Sequence, residues 1–271
     1  MGPYRGRLGL AKLSLRVVWS DGSLSVLVVL GGIASGAVAL AFLAPAAVAY
    51  SIDERWLAAI IGGLGVYFST VAATYFAVAL AAAASEVLDG RDATVRGGMA
   101  VASRCVGAIL GWALLLTTVN LVLQALRDRA GLLGNLLLGA AAVAWGLATL
   151  LVVPILALEG LGPLSALSRS TALFREKWGE QLAGAASIGV LFTVLGVVPA
   201  AVLMALGFAS GSNVVAIALL VVAVLVAVVV GVLGSAARAV FAVALYRYAA
   251  GAGATGPFTE RDLEGAVLRK G

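Results

Sequence analysis

The side chains of this sequence that could do chemistry lie inside long apolar stretches or at their ends. Within one such stretch Thr117, Asn120 and Gln124 recur at steps of three and four residues, which places them on one face of a helix. Hydrocarbon penalises polar groups unless they pair or face water. The stripe therefore indicates hydrogen bonds between helices or, alternatively, a path for a small solute. Because it carries no charge, it argues against a proton relay or a strongly bound ion.

Two acidic residues close apolar stretches at matching places. Glu86 and Glu159 are each followed by a basic residue that could pair with it, and we expect Arg104 and Arg169 to be those partners. Such pairs indicate structural clamps, with a proton-coupled role or contact with a lipid headgroup as the alternative. Further candidates for such a clamp, or for contact with a lipid headgroup, are Arg175, Lys177 and Trp178.

The composition excludes several kinds of catalysis. The chain has no histidine, so it cannot use Ser-His-Asp or Cys-His catalysis or imidazole metal ligands. Its one cysteine, Cys105, permits no internal disulfide and no cysteine metal pair. A glycine-rich phosphate loop with its lysine is also missing. We therefore expect no catalytic residue, no metal and no cofactor, and a protein that is not an enzyme.

The elements that position these residues follow from an apolar composition. Hydrophobic residues make up 62% of the chain and charged residues 11%, with a mean hydropathy of +1.10, whereas about 25% of the residues in soluble domains are charged. Four stretches without charged residues each suffice for one membrane-crossing helix of about 20 residues. A fifth, 181–237, is about twice that length and is divided by the polar residues 210–213. The sequence thus predicts six transmembrane helices.

These helices predict an all-α membrane protein with a single domain over residues 1–250, built from three transmembrane hairpins. Residues 251–271 are expected to form a cytoplasmic tail with a short helix. The first transmembrane segment is too long for a typical signal peptide, so we expect it to remain as a helix. The predicted transmembrane helices cover about 24–50, 56–85, 105–126, 132–158, 181–209 and 214–248.

An amphipathic segment precedes each predicted hairpin, at about 4–19, 93–104 and 163–178. Apolar residues recur in each at steps of three and four, while arginines and lysines lie on other faces. Helices of this kind lie in the headgroup region with the apolar face toward the hydrocarbon. The predicted apolar stripes are Leu8, Ala11, Leu15 and Val18; Val95, Met99, Ala102 and Val106; and Leu164, Leu167, Thr171, Phe174 and Trp178.

The basic residues predict the orientation. With the N terminus inside, only Arg55, Arg127 and Arg129 of the 18 basic residues fall outside, and cytoplasmic loops are the ones that retain lysine and arginine. Both termini are therefore expected in the cytoplasm. The net charge of +5 indicates anionic lipids of the inner leaflet as partners rather than nucleic acid. Small residues one turn apart, such as Gly32 with Gly36 and Gly107 with Gly111, favour close helix packing and allow a homo-oligomer without requiring one.

The run from Pro154 to Glu180, PILALEGLGPLSALSRSTALFREKWGE, resembles a motif in a broad family of uncharacterised six-helix prokaryotic membrane proteins. That family is also similar to the membrane domain fused to some glycerophosphoryl diester phosphodiesterases. The segments Ser14–Asp21 and Leu245–Ala249 are likewise similar, so the resemblance covers essentially the whole chain. It implies a multi-pass protein of the prokaryotic plasma membrane in a lipid-related context, and it carries over no catalytic residue. The matching positions are Glu159, Gly162, Pro163, Ala166, Arg169, Ser170 and Trp178.

Taken from the sequence, the function is that of a membrane protein of unknown specific role. We expect it to act without catalysis, in membrane organisation, lipid handling or assembly with partners at the inner leaflet. The alternative is a channel or transporter for a small solute, whose polar path would be lined by the third transmembrane helix.

Overall fold

Short helices precede consecutive long apolar helices along the chain. In the computed structural model, residues 7–178, 199, 201–206, 213–253 and 258 are described, and these residues contain helices and no strand. In chain order the helices are α1 (Arg7–Ser20), α2 (Gly22–Ser51), α3 (Arg55–Leu88), α4 (Val95–Arg104), α5 (Val106–Arg127), α6 (Leu132–Thr149), α7 (Val152–Leu158), α8 (Pro163–Trp178) and α9 (Asn213–Ala249).

Five helical stretches of the described residues are long and apolar enough to cross a membrane. They are Gly22–Ser51, Arg55–Leu88, Val106–Arg127, Leu137–Leu158 and Val229–Ala249. The prediction of an all-helical membrane protein is thereby confirmed for this part of the chain. The remaining predicted span, 181–209, lies largely outside the described residues, as does most of the tail at 251–271. The count of six therefore stays a prediction.

The short helices α1, α4 and α8 occupy the segments in which the sequence predicts amphipathic helices. Side-chain caps mark two of the boundaries. The carboxylate of Asp21 accepts hydrogen bonds from the backbone N–H groups of Ser23 at 2.7 Å and Leu24 at 3.3 Å, so α1 ends and α2 begins there. Thr94 Oγ1 accepts from the N–H of Gly97 at 3.0 Å and opens α4 in the same way.

The predicted span 132–158 is divided into two helices, α6 and α7. The division falls at residues 150 and 151, and Pro154 lies in the first turn of α7. A proline has no N–H to donate, and its ring would collide with the carbonyl of the residue four positions earlier, here Leu150. Pro154 therefore lies in the first turn of α7, where its missing N–H costs no helical hydrogen bond.

Buried residues concentrate at one end of the bundle, which we call the packed end. Its core contains Val78–Ala84 of α3, Val240–Leu245 of α9 and the apolar side chains of α7, together with buried residues of α1, α4 and α8. Toward the opposite end, large apolar side chains such as Leu40, Ile60 and Leu137 are exposed. Such surfaces suit lipid and not water.

The amphipathic helices bury part of each predicted stripe in the bundle, together with small residues outside the stripes. The sequence predicts apolar stripes turned toward the membrane, but α4 buries Gly98 and Ala102 in the bundle and α8 buries Ala166 and Ser170. Leu164, which belongs to the predicted stripe of α8, is 68% exposed. Small residues let two helix backbones approach closely, and for that reason they form the contact here. The three helices are parts of the bundle.

Close helix contacts also involve two of the predicted small-residue positions. A Cβ atom at Gly32 would lie 2.8 Å from Val232 Cγ2 of α9, and one at Gly111 would lie 3.0 Å from Pro163 Cγ of α8. Their predicted companions Gly36 and Gly107, in contrast, face open space. Among the described residues, only one member of each pair is therefore in close contact with another helix.

Gly98 is the position where α4 comes closest to α3, and a methyl group there should separate the two helices. Its Cβ would lie 2.6 Å from the carbonyl oxygen of Ala79 and 3.3 Å from Leu27 Cδ1. Overpacking of this kind costs about 1–3 kcal/mol, so we expect Gly98→Ala to lower the unfolding temperature of the purified protein in detergent. Gly62→Ala is the matched control because a Cβ at Gly62 meets no atom within 4 Å. Equal unfolding temperatures for the two variants would contradict the close contact.

Candidate functional site

The last turn of α9 carries a cation that joins it to the end of α3. Arg247 donates from Nη1 to the carbonyl oxygen of Ser85 at 2.9 Å and to its hydroxyl at 3.2 Å. Its other terminal nitrogen donates to the carboxylate of Asp89. The Arg247 side chain is only 16% exposed, so the guanidinium is largely shielded from water by the groups that it binds.

Asp89 is held in its ionised form by two cations. In addition to Arg247, Arg91 Nη2 donates to the second carboxylate oxygen at 3.1 Å. The hydrogen bond from Arg247, assisted by that from Arg91 and opposed by burial, lowers the pKa of the Asp89 carboxyl below its ordinary value of 3.8. The end of α3 therefore keeps its negative charge to a lower pH than a free aspartate would.

The residue before Arg247 joins α9 to a different part of the chain. The Tyr246 hydroxyl donates to Glu159 Oε1 at 2.8 Å, and Arg169 Nε of α8 donates to the same oxygen at 3.3 Å. Glu159 directly follows α7. One carboxylate thus connects α7, α8 and α9. We call the group of Ser85, Asp89, Glu159, Arg169, Tyr246 and Arg247 the α9 clamp.

Tyr248, the residue after Arg247, adds a contact between α9 and the end of α8. Lys177 Nζ lies 6.0 Å from the centre of the Tyr248 ring, a distance at which a cation is still attracted to an aromatic face. Three consecutive side chains of α9 therefore reach three other segments of the chain: the end of α3, the α7–α8 connection and the end of α8.

The two predicted acidic clamps have different outcomes. Arg169 lies beside Glu159, as the sequence indicates. No ion pair joins Glu86 to Arg104 within the described ranges. The acidic residue that holds a cation at the end of α3 is Asp89, which binds Arg247. Sequence reasoning missed Asp89, Tyr246 and Arg247 as partners. The signal for them was the Leu245–Ala249 run, in which two tyrosines and an arginine end an apolar helix.

A groove of 630 Å³ lies where the α4–α5 junction faces the α7–α8 connection. Cys105, between α4 and α5, donates its thiol hydrogen to the carbonyl oxygen of Leu156 at 3.3 Å, and this bond fixes the two sides of the groove relative to each other. The groove is lined by Val101, Arg104, Cys105, Gly107, Ala108, Ala157, Leu158, Glu159, Gly160, Gly162 and Pro163.

The groove presents both signs of charge. Arg104 is exposed and has no ion-pair partner in the part of the chain that the structure describes. Glu159, across the groove, is about one-quarter exposed and uses Oε1 for both of its hydrogen bonds. The Arg104 guanidinium and the Glu159 carboxylate therefore line one open space, and the carboxylate is already paired with Arg169 through Oε1.

The predicted polar stripe of α5 is distributed over different environments. Thr117 is buried and its hydroxyl has no hydrogen-bond partner, while Asn120 and Gln124 are exposed. The groove does not include these residues.

Of the other predicted contacts, Arg175 and Lys177 are exposed on α8, and the side chain of Trp178 lies outside the described residues. Within the described ranges, no three His, Cys, Asp or Glu side chains are grouped so that they could hold a metal ion.

With five helical stretches long and apolar enough to cross a membrane among its described residues, the chain is a multi-pass membrane protein. It belongs to a family of unknown function, DUF6159, which it matches over residues 64–257. The match includes the whole α9 clamp and every residue that lines the groove. No curated protein and no solved structure matches the chain.

Proposed function

We propose that this protein organises or handles lipids at the inner leaflet of a prokaryotic plasma membrane, without catalysis, by holding three basic amphipathic helices in a fixed array. In this proposal the chain has six transmembrane helices in three hairpins, and the packed end with both termini faces the cytoplasm. The observation that carries the proposal is that α1, α4 and α8 all belong to the packed end and leave basic side chains exposed there.

One exposed arginine on each amphipathic helix is available to lipid. Arg16 of α1, Arg96 of α4 and Arg175 of α8 are exposed, and none of the three has an ion-pair partner among the described residues. Because these helices bury their contact faces in the bundle, the arginines are held on a rigid support. A basic residue near an anionic leaflet contributes about 1 kcal/mol of attraction, so three together should enrich anionic lipid around this end.

Neutralising these three arginines together should remove that enrichment. We expect the triple variant Arg16→Gln, Arg96→Gln, Arg175→Gln to lose most of the preference of the full chain for spin-labelled phosphatidylglycerol over phosphatidylcholine. Electron paramagnetic resonance in vesicles measures this preference directly. Raising the salt concentration should weaken the preference of the unmodified chain and have little effect on the variant, since salt screens exposed charges.

The matched control removes the same charge from the opposite end of the bundle. Arg55, Arg127 and Arg129 are exposed and lie next to the turns that join α2 to α3 and α5 to α6. The preference for phosphatidylglycerol should persist when all three are changed to glutamine. If the control variant loses as much of the preference for phosphatidylglycerol as the first variant does, the three arginines at the packed end are not the source of that preference.

The alternative of a channel or transporter has less support. Asn120 and Gln124 are exposed on α5, so the stripe would line a path only where a second surface covers it. A second copy of the chain would provide such a surface. Solute flux into vesicles that contain the protein, together with loss of this flux in Asn120→Leu, would favour that alternative.

A further inference from the structure

We propose that the groove between the α4–α5 junction and the α7–α8 connection binds a phospholipid headgroup that carries both a phosphate and a primary amine. This inference rests on the proposed function, because it places the groove at the depth of the inner headgroups. It goes further by naming one binding site and the chemical class of its ligand.

The size and position of the groove fit a headgroup. Its volume of 630 Å³ falls within the range of about 300–1,000 Å³ that small-molecule sites occupy. Both of its sides are places where an amphipathic helix meets an apolar one: Cys105 joins α4 to α5, and residues 159–162 join α7 to α8. In the proposed orientation these junctions lie where the headgroup region meets the hydrocarbon.

The charges of the groove select a ligand with two opposite charges. The Arg104 guanidinium is free to bind a phosphate, since it has no ion-pair partner in the described part of the chain, and guanidinium matches the geometry of phosphate oxygens. Glu159 has committed Oε1 to Tyr246 and Arg169, while Oε2 has no hydrogen-bond partner among the described residues. A primary ammonium group can donate to that oxygen. A headgroup with phosphate alone would leave Oε2 of Glu159 without a donor, although the carboxylate is paired with Arg169 through Oε1.

Three glycines keep the groove open. Gly107, Gly160 and Gly162 line it, and a Cβ atom added at any of them would meet nothing within 4 Å, so a side chain there would occupy the groove. Gly160 also has a φ of +65°, which non-glycine residues adopt at a cost. Between the charged residues, Val101, Ala108 and Leu158 provide the apolar surface that the start of an acyl chain requires.

Lipid binding to the full chain tests the proposal. Native mass spectrometry of the detergent-solubilised protein, titrated with phosphatidylethanolamine, phosphatidylglycerol or phosphatidylcholine, should show saturable binding of one phosphatidylethanolamine. Phosphatidylglycerol lacks the amine, and the trimethylated amine of phosphatidylcholine cannot donate a hydrogen bond, so both should bind more weakly. Arg104→Gln should reduce the affinity for phosphatidylethanolamine roughly tenfold, the value of one charge-assisted contact.

Two further variants separate charge from shape. Arg129→Gln removes the same charge from an exposed position outside both the groove and the arginine array, and it should leave the affinity unchanged. Gly107→Leu keeps every charge but fills the groove, so it should abolish the binding of phosphatidylethanolamine. Its unfolding temperature should equal that of the unmodified protein. Binding retained in Gly107→Leu would overturn the proposal, as would equal affinity for phosphatidylethanolamine and phosphatidylglycerol.

Free phosphate compounds separate a lipid site from a soluble-ligand site. Inorganic phosphate and phosphoethanolamine should compete poorly with phosphatidylethanolamine, because they lack the acyl chain; equal competition would overturn the lipid assignment. This experiment is independent of the spin-label measurement above. If the triple arginine variant keeps its preference for phosphatidylglycerol, the proposed arginine array is wrong. If Arg104→Gln binds phosphatidylethanolamine as the unmodified chain does, the proposed groove site is wrong as well, whatever the spin-label result.

Discussion

Changing Arg247 to glutamine is expected to lower the free energy of unfolding by about 2–3 kcal/mol, the largest effect among these substitutions. Hydrogen bonds that involve a charged group contribute about 1.5–3 kcal/mol, and Arg247 makes them to both Ser85 and Asp89. Because Asp89 is about one-third exposed, water compensates part of the loss and keeps the estimate below that for a fully buried pair. Thermal and denaturant unfolding in detergent would measure the change.

The pH dependence of stability isolates the contribution of Asp89. Its pKa is lowered in the folded chain, so the folded state holds the carboxylate ionised at pH values where the unfolded chain binds a proton. The stabilisation is therefore complete above the ordinary carboxyl pKa of about 3.9, and it is lost as the pH falls through the lower folded-state pKa. Asp89→Asn should remove this component of the acid dependence.

Arg91 provides the control for the Arg247 prediction. It binds the same carboxylate, but its side chain is 66% exposed, and exposed pairs contribute only about 0–1 kcal/mol. Arg91→Gln should therefore change stability far less than Arg247→Gln does. If the two variants are equally stable, Arg247 does not join α9 to α3 in the way that the contacts indicate.

Changing Glu159 to alanine is expected to lower the free energy of unfolding by about 2 kcal/mol. The substitution removes the acceptor shared by Tyr246 and Arg169, and it leaves the hydroxyl of the buried Tyr246 without its partner. An unsatisfied buried group costs about 1–3 kcal/mol. Glu159→Gln keeps a carbonyl oxygen for the tyrosine and should recover about half of the loss. Unfolding temperatures of the two variants in the same detergent give the comparison.

Glu176→Ala is the matched control for Glu159→Ala. Glu176 is exposed on α8 and has no ion-pair partner within the described ranges, so its removal should change stability by less than about 0.5 kcal/mol. Tyr246→Phe, which deletes only one of the two hydrogen bonds, should fall between the control and Glu159→Ala. A Tyr246→Phe variant that is as unstable as Glu159→Ala would assign the effect to the tyrosine alone.

The sequence predicts the positions of the helices better than their contacts. Charge-free stretches and cap residues such as Asp21 and Thr94 depend on local chemistry, so the ends of α2 and α4 lie close to the predicted ones. The face that a short helix buries depends on its neighbour. Ala166 and Ser170 are unremarkable in an apolar pattern, yet they are buried, because the close approach of α8 to the bundle favours small side chains.

The candidate site was predictable to the extent that its partners are near in sequence. Glu159 and Arg169 are ten residues apart on consecutive elements, and their pairing follows from that proximity. Arg247 and Asp89 are separated by 158 residues, and no local pattern indicates which of the acidic residues near the end of α3 the arginine meets. From the sequence, Glu86 was expected to pair with Arg104, and no acidic partner was predicted for Arg247, which binds Asp89.

The late position of the α9 clamp in the chain has a consequence for biosynthesis. Asp89 leaves the ribosome about 8 to 30 s before Arg247 at synthesis rates of about 5–20 residues per second, and Glu159 precedes Tyr246 by 87 residues. During that interval the insertion machinery handles a nascent protein whose carboxylates at Asp89 and Glu159 still lack their partners on α9. The α9 clamp can therefore form only after Tyr246 and Arg247 have been synthesised. Truncated products that end before these residues should be substrates for membrane proteases.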